Sequence, residues 1–184
     1  MNKIIITGKA ASGKDYIRKQ LEKSPFISYA PPFTTRPARM GEVNGVDYYF
    51  IDDTSYDRIE QDGSFVISNE FNGWKYGITY NQIKSNKNLF ILSPRAIQDI
   101  PPKYRDEFFI IYIDVPKDVI VDRLKSRTMP GDTSAARIAR DDADFELFLK
   151  NKQYNLIVKD ENKSDLIDMI LKLALYGEHQ ANHY

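Results

Sequence analysis

The stretch Gly8-Lys9-Ala10-Ala11-Ser12-Gly13-Lys14 constrains this chain more than any other. It follows the apolar run Ile4-Ile5-Ile6-Thr7 and precedes residues 16–21, where Ile17 and Leu21 stand at helical spacing. A buried strand, a tight loop and a helix N-terminus in that order form a phosphate cradle. The loop's backbone N–H groups point inward, the helix dipole adds partial positive charge, and Lys14 adds a full one. Gly8, Lys9, Ala10, Ala11, Ser12, Gly13, Lys14 and Asp15 are therefore candidate contacts for the phosphates of a nucleotide such as ATP. The plainer alternative is a βα turn that uses glycines for positive φ, and the context on both sides favours the cradle. Position 15 departs from the pattern. Ser or Thr, whose hydroxyl helps hold Mg²⁺, is replaced by Asp15. A carboxylate is also a good Mg²⁺ ligand, although beside a triphosphate it adds negative charge.

Length and charge set the remaining bounds. The 184 residues are one domain's worth and can bury a real core. The 26 basic and 26 acidic residues cancel, so no bulk field draws the chain to nucleic acid or a membrane. An anion site must come from local placement of Arg and Lys. Cys is absent, which removes disulfides and thiolate metal sites and suits a reducing compartment. The first strand begins almost at Met1, and no apolar run approaches membrane-spanning length. The expectation is a cytoplasmic protein, monomer or homodimer, whose partners are small-molecule nucleotides.

Apolar runs at 3–7, 26–29, 89–92, 108–115 and 156–158 alternate with helical segments at 14–23, 95–100, 116–126, 135–150 and 164–175. That alternation predicts an α/β fold with a mainly parallel sheet. Residues 34–79 break it with a polar loop, a short strand at 48–51, a helix from Thr54 and a strand at 65–67. Asn72-Gly73 is a strong hairpin signal that follows. This aromatic-rich, antiparallel insert is a candidate substrate-binding subdomain. A second break at 127–136, holding Met129-Pro130-Gly131-Asp132, marks a mobile loop between two helices that bring Arg123, Arg127, Arg137 and Arg140 close in sequence.

Within the insert, Thr34-Thr35-Arg36-Pro37-Ala38-Arg39 sets two arginines three apart, with hydroxyls from Thr34, Thr35 and Tyr48. Those groups suit a dianionic phosphate, and a solvated loop whose arginines pair with Glu42 and Asp47 is the plain alternative. The spacing resembles the guanylate kinase signature: Thr-Thr-Arg, a basic residue three on, an acid three further, then Gly and Tyr-x-aromatic. Arg36, Arg39, Glu42, Gly45, Tyr48 and Phe50 satisfy it. With the phosphate loop, Tyr76-Gly77 and the arginine array, the similarity covers most of the chain.

The resemblance implies a P-loop NTPase-type parallel sheet core, an antiparallel insert for a nucleoside monophosphate, and a short lid. The corresponding boundaries are core 1–33, 80–126 and 138–184, insert 34–79, and lid 127–137. It implies that Lys14 contacts the β- and γ-phosphates, that Arg127 and Arg137 neutralise the transferring group, and that Arg123 lies with ATP. Arg140 stays open as a substitute for Arg137, because the lid spacing is about one residue short. Thr34, Arg36, Arg39, Tyr48, Tyr76 and Gly77 would hold the acceptor, with Glu42 nearby, and Mg²⁺ would accompany ATP. Such a ring of cations is what phosphoryl transfer requires.

The base-reading positions differ from the family pattern. Laid without gaps, Pro32, Ile67 and Ile78 stand where the family has a Ser, a Glu and a Ser or Thr, and Ser93-Pro94-Arg95 replaces an acidic pair. Guanine's N1–H and 2-amino group want a carboxylate acceptor, and isoleucine offers none. Glu70, Asn69 or Thr79 would replace the lost groups if the hairpin is shifted. The best expectation is an ATP- and Mg²⁺-dependent kinase for GMP or dGMP. The alternatives are a kinase for another or a modified nucleotide, one for ribose bisphosphate, and a catalytically dead binding module.

Overall fold

Ile4, Ile5 and Ile6 leave no polar side to the first strand, and a strand apolar on both faces belongs inside a covered parallel sheet. The computed structural model describes residues 3–125 and 134–181, and it places this strand so. In chain order come β1 (Lys3–Gly8), α1 (Lys14–Leu21), β2 (Phe33–Thr34), β3 (Tyr49–Phe50), α2 (Asp53–Gln61) and β4 (Phe65–Phe71). Next are β5 (Trp74–Thr79), α3 (Tyr80–Lys84), β6 (Leu89–Ile91), α4 (Pro94–Gln98), α5 (Pro102–Arg105) and β7 (Phe108–Asp114). The chain continues through α6 (Lys117–Lys125), α7 (Ser134–Lys150), β8 (Leu156–Lys159) and α8 (Lys163–Ala181).

The core sheet runs β6-β1-β7-β8, all parallel, with Ile5 opposite both Phe90 and Ile110. Strand alternation divides its side chains between two layers. Ile4, Ile6, Ile111 and Ile113 pack with Ile17 and Leu21 of α1 and with Leu166 and Ile170 of α8. Ile5, Phe90, Ile110 and Tyr112 pack on the other face with Ile97 of α4 and with Phe145 and Phe148 of α7. The carboxyl ends of β1 and β6 open onto one crevice, where α/β sheets bind ligands.

The strand expected at 26–29 is reduced to a single bridge, Tyr29 to Leu89. The Asn88 side chain explains this. It accepts from the Ser28 N–H at 2.8 Å and donates to the Phe26 carbonyl at 2.7 Å, so backbone pairing is confined to Ser28 and Ala30 against Asn88 and Leu89. Pro31 and Pro32 then follow, with no N–H to offer. Helix α3 lies outside the helical segments read from the sequence, and Thr79 and Gln82 start it with a reciprocal capping box.

The second sheet runs β3-β2-β5-β4 and is antiparallel except for the β2–β3 pair. The hairpin falls where Asn72-Gly73 predicts, with φ of 55° and 73° at the two turn residues. Gly77 of β5 lies under an aromatic pair, Phe65 and Tyr56, whose rings stack at 4.5 Å. A Cβ there would come within 2.5 Å of the Phe65 ring and 2.8 Å of the Tyr56 hydroxyl. Gly77→Ala is therefore expected to cost about 1–3 kcal/mol in urea denaturation, since the rings must move to make room. An unchanged midpoint would show that the stack yields freely.

Candidate active site

A cavity of about 270 Å³ joins the two sheets. The phosphate loop forms one end of it through Gly8, Ala10 and Lys14. Tyr48, Ile67, Asn69, Tyr76 and Ile78 of the insert contribute another wall, and Ser93, Asp141 and Asp144 reach it from the core. The structure thus gathers residues separated by more than a hundred positions around one space.

The loop is shaped by close backbone approach and by left-handed positions. A Cβ on Gly8 would lie 2.7 Å from Ser12 Oγ, and Ala11 and Gly13 have φ of 57° and 87°. Lys14 Nζ donates to the carbonyls of Gly8 at 2.6 Å and Lys9 at 2.9 Å, which draws its charge over the loop. Lys9 itself faces α7 and pairs with Asp142 at 2.5 Å. Hydrogen bonds from Lys9 and Lys117 hold the Asp142 carboxyl below the usual range. Asp141 accepts from the Ala10 N–H at 2.5 Å, so α7 supplies an anion to the cradle from 131 residues away. Nothing local to the loop signals that contact. The charged run Arg140-Asp141-Asp142 was its only trace in the sequence.

Asp15 is exposed in the first turn of α1, where a negative charge suits the helix dipole. Arg123 donates to the Ala11 carbonyl at 3.2 Å and grips Asp160 with both terminal nitrogens, at 3.0 and 2.8 Å. It steadies the loop from behind. Arg127 lies outside the described residues, and Arg137 sits in α7 with its side chain likewise outside them. Arg140 donates to Asn72 Oδ1 at 3.0 Å, linking α7 to the tip of the β4–β5 hairpin.

In the insert, Arg36 is buried, pairs with Glu42 at 2.9 Å and donates to the Pro37 carbonyl at 2.7 Å. Its guanidinium sits 5.2 Å from the centre of the Tyr48 ring. Glu42 also accepts from the Arg39 N–H, so it shapes the turn that carries both arginines. Arg39 is exposed. Asp47, the other acid that was a candidate partner for these arginines, pairs instead with Arg18 at 2.5 Å. The Thr34 hydroxyl accepts from the Arg36 N–H and the Thr35 hydroxyl from the Lys75 N–H, which positions the arginine. Burial, with Tyr76 close by, pushes the Tyr48 phenol up to about 12, so it stays protonated and able to donate.

The base-reading expectations need correction. Ile67 and Ile78 face each other across β4 and β5 and line the cavity together with Pro32. The register is constant from Ile67–Ile78 to Phe71–Trp74, with an irregularity only between Phe65 and Ile67. Glu70 stands opposite Lys75 in the strand register and is exposed, because residues 67, 69 and 71 take the inner positions of β4. Thr79 caps α3 and is not among the lining residues. Asn69, opposite Tyr76, lines the cavity.

The guanylate kinase family model matches residues 1–175. A guanylate kinase of Chlorobium chlorochromatii is 27% identical over 173 residues, covering 90% of each chain. One of Streptococcus pyogenes serotype M3 is 29% identical over 166 residues, covering 86% of this chain and 78% of its own. The crystal structure of guanylate kinase from Anaplasma phagocytophilum matches the fold with a TM-score of 0.69, at 21% identity, over 96% of this chain and 86% of its own. With the family model spanning nearly the whole sequence, the chain belongs to the guanylate kinase family.

Proposed function

We propose that this protein transfers the γ-phosphoryl group of ATP to a nucleoside monophosphate, with GMP or dGMP as the leading acceptor. One observation carries the reading: a single cavity is bounded by Lys14 and the phosphate loop at one end and by Tyr48 and Tyr76 of the insert beside Arg36. Donor and acceptor phosphates bound there lie between cations, and positioning plus charge stabilisation is most of what the reaction needs.

In this mechanism the loop amides and Lys14 hold the β- and γ-phosphates. Tyr48 and Tyr76, backed by Arg36 and with Arg39 at the rim, orient the acceptor phosphate. Arg127 and Arg137, with Arg140 as the alternative, neutralise the transferring group, and Arg123 braces the ATP loop. The division into core (1–33, 80–126, 138–184), insert (34–79) and lid (127–137) gives closure a physical task, the exclusion of water that would hydrolyse ATP.

Mg²⁺ fits the residues present. Among the described residues no cluster of three or more His, Cys, Asp or Glu could cage a metal. Mg²⁺ in kinase sites keeps several waters and takes one or two carboxylates plus substrate phosphates, a role that exposed Asp15 can fill. When bound, the ion neutralises charge on the β- and γ-oxygens. No helix among the described residues is long and apolar enough to cross a membrane, and we place the protein in the cytoplasm as a monomer or homodimer.

ADP release, measured across the common NMPs and dNMPs and ribose bisphosphate, tests the reading. Absence of turnover with folded protein would favour a binding module, and turnover of ribose bisphosphate alone would move the acceptor class. Arg36→Ala should raise the acceptor KM while leaving ATP affinity nearly intact. It removes a charge-assisted hydrogen-bonding group worth about 1.5–3 kcal/mol. A changed ATP affinity with an unchanged acceptor KM would contradict the assignment of the insert to the acceptor.

A further inference from the structure

We infer that Asp141 is an autoinhibitory latch, an intramolecular competitor of the donor nucleotide. Its carboxylate occupies the phosphate loop, and a polyphosphate must displace it to bind. This deepens the kinase reading and rests on it for the loop's role as a phosphate cradle.

Asp141 Oδ2 accepts from the Ala10 N–H at 2.5 Å. Ala10, Lys14 and Asp141 all line the one cavity, so the carboxylate stands on the side of the loop that a ligand reaches. The next residue, Asp142, takes a loop cation. It pairs with Lys9 Nζ at 2.5 Å and with Lys117 Nζ at 3.0 Å. Two consecutive carboxylates of α7 therefore meet two consecutive loop residues, one on a lysine and one on a backbone amide. A phosphate oxygen seeks the same partners, since it is an anion that accepts from backbone N–H groups and pairs with lysine. Carboxylate and phosphate at a single N–H exclude each other by volume and by like charge.

The helix can release the loop without unfolding. Phe145 and Phe148, about one and two turns further on, are buried against the core sheet and keep α7 in place. Asp141 is half-buried, so water can hydrate its carboxylate once it swings away. Asp142 keeps Lys117 when Lys9 turns to a phosphate, and no charge is stranded. A polyphosphate brings several charges against one per carboxylate, which lets it win the exchange. The contact given up is a charge-assisted hydrogen bond, the strong class, so the latch should weaken donor binding about 10-fold.

Calorimetric titration with Mg²⁺-AMP-PNP, and separately with inorganic tripolyphosphate, tests this on the full chain as wild type, Asp141→Ala, Asp141→Asn and Glu146→Gln. Asp141→Ala should bind both probes about 10-fold more tightly than wild type. Asp141→Asn should fall between the two, because its amide oxygen still accepts from Ala10 without the charge. Glu146→Gln removes an exposed charge from the same helix and should stay within about twofold of wild type. Without probe, deuterium exchange of the Ala10 amide, followed by NMR, should be about 10-fold faster in Asp141→Ala. The isosteric Asp141→Asn decides the matter if Asp141→Ala does not fold.

The inference is overturned if the Asp141 variants bind the probes no more tightly than wild type. Weaker binding would make Asp141 a support of the loop. It is equally overturned if Glu146→Gln tightens binding as much, which would reduce the effect to bulk charge, or if exchange at Ala10 is unchanged. Binding of neither probe by any variant would overturn the latch together with the phosphate cradle. The expected ratios without ADP release for any acceptor would sink the kinase reading and leave the latch standing. Turnover with unchanged ratios would do the opposite.

Discussion

Lys14→Ala is expected to lower kcat about 10²–10³-fold for every acceptor, the usual effect of removing one preorganised group that stabilises developing charge. Lys14 Nζ now rests on the Gly8 and Lys9 carbonyls and on Ser12 Oγ at 3.3 Å, so its cation already sits inside the curve of the loop. Phosphate oxygens entering the cradle meet that charge without a large rearrangement. The side chain is only half-buried, and water can replace it on the loop carbonyls, so stability should change little. The useful measurement pairs single-turnover kinetics with a urea midpoint. A large fall in rate at constant midpoint assigns Lys14 to the transferred group. Near-normal turnover would remove the phosphate loop from the chemistry, and a parallel loss of stability would make the lysine a structural tie.

Arg18→Met should be the most destabilising substitution considered for this chain, at about 3–5 kcal/mol. At about 2–4 °C per kcal/mol for a chain of this size, Tm should fall by roughly 6–20 °C. Arg18 is only 1% exposed although it is charged. From α1 it reaches Asp47 at 2.5 Å and Glu22 at 2.8 Å, and its guanidinium lies 4.8 Å from the centre of the Tyr29 ring. It therefore fastens the first helix of the core to the insert loop that carries Arg36 and Arg39. Removing it strands Asp47, whose side chain is 16% exposed and whose other oxygen accepts from the Val43 N–H. The penalty arises from the uncompensated carboxylate more than from the lost attraction. A double variant, Arg18→Met with Asp47→Leu, should thus recover much of the loss. If it were no better than the single variant, packing on Tyr29 rather than charge would account for the effect.

The order in which elements became legible follows the distance over which each is decided. The phosphate loop, the helix after it and the hairpin turn at Asn72-Gly73 depend on neighbours a few residues away, and each lies where the sequence predicts. The parallel core strands are readable for a related reason, since burial on both faces forces a continuous apolar run such as Ile4-Ile5-Ile6. The segment at 26–29 has the same apolar character but forms a single bridge, because an asparagine 60 residues on takes up the Ser28 N–H. Arg18 carried no signal either. An arginine on a short amphipathic helix looks like a surface residue until a distant loop covers it.

The β4–β5 wall of the cavity marks the boundary between the two kinds of information. By itself the sequence determined the glycine-rich loop at 8–14, a separate antiparallel insert and the apolar residues Ile67 and Ile78. Those facts reside in residue types at fixed spacing. Which polar side chain lines the cavity was decided only by the pairing of β4 with β5. A strand alternates faces at every residue, so a slip of one would exchange Asn69 for Glu70. The tertiary structure sets that register by burying Ile67 against Ile78, and it thereby turns Glu70 to solvent and Asn69 inward. The contact of Asp141 with the loop was settled in the same way, by α7 packing across the carboxyl ends of the strands. Both outcomes depend on which surfaces exclude water together, and that is a property of the folded chain.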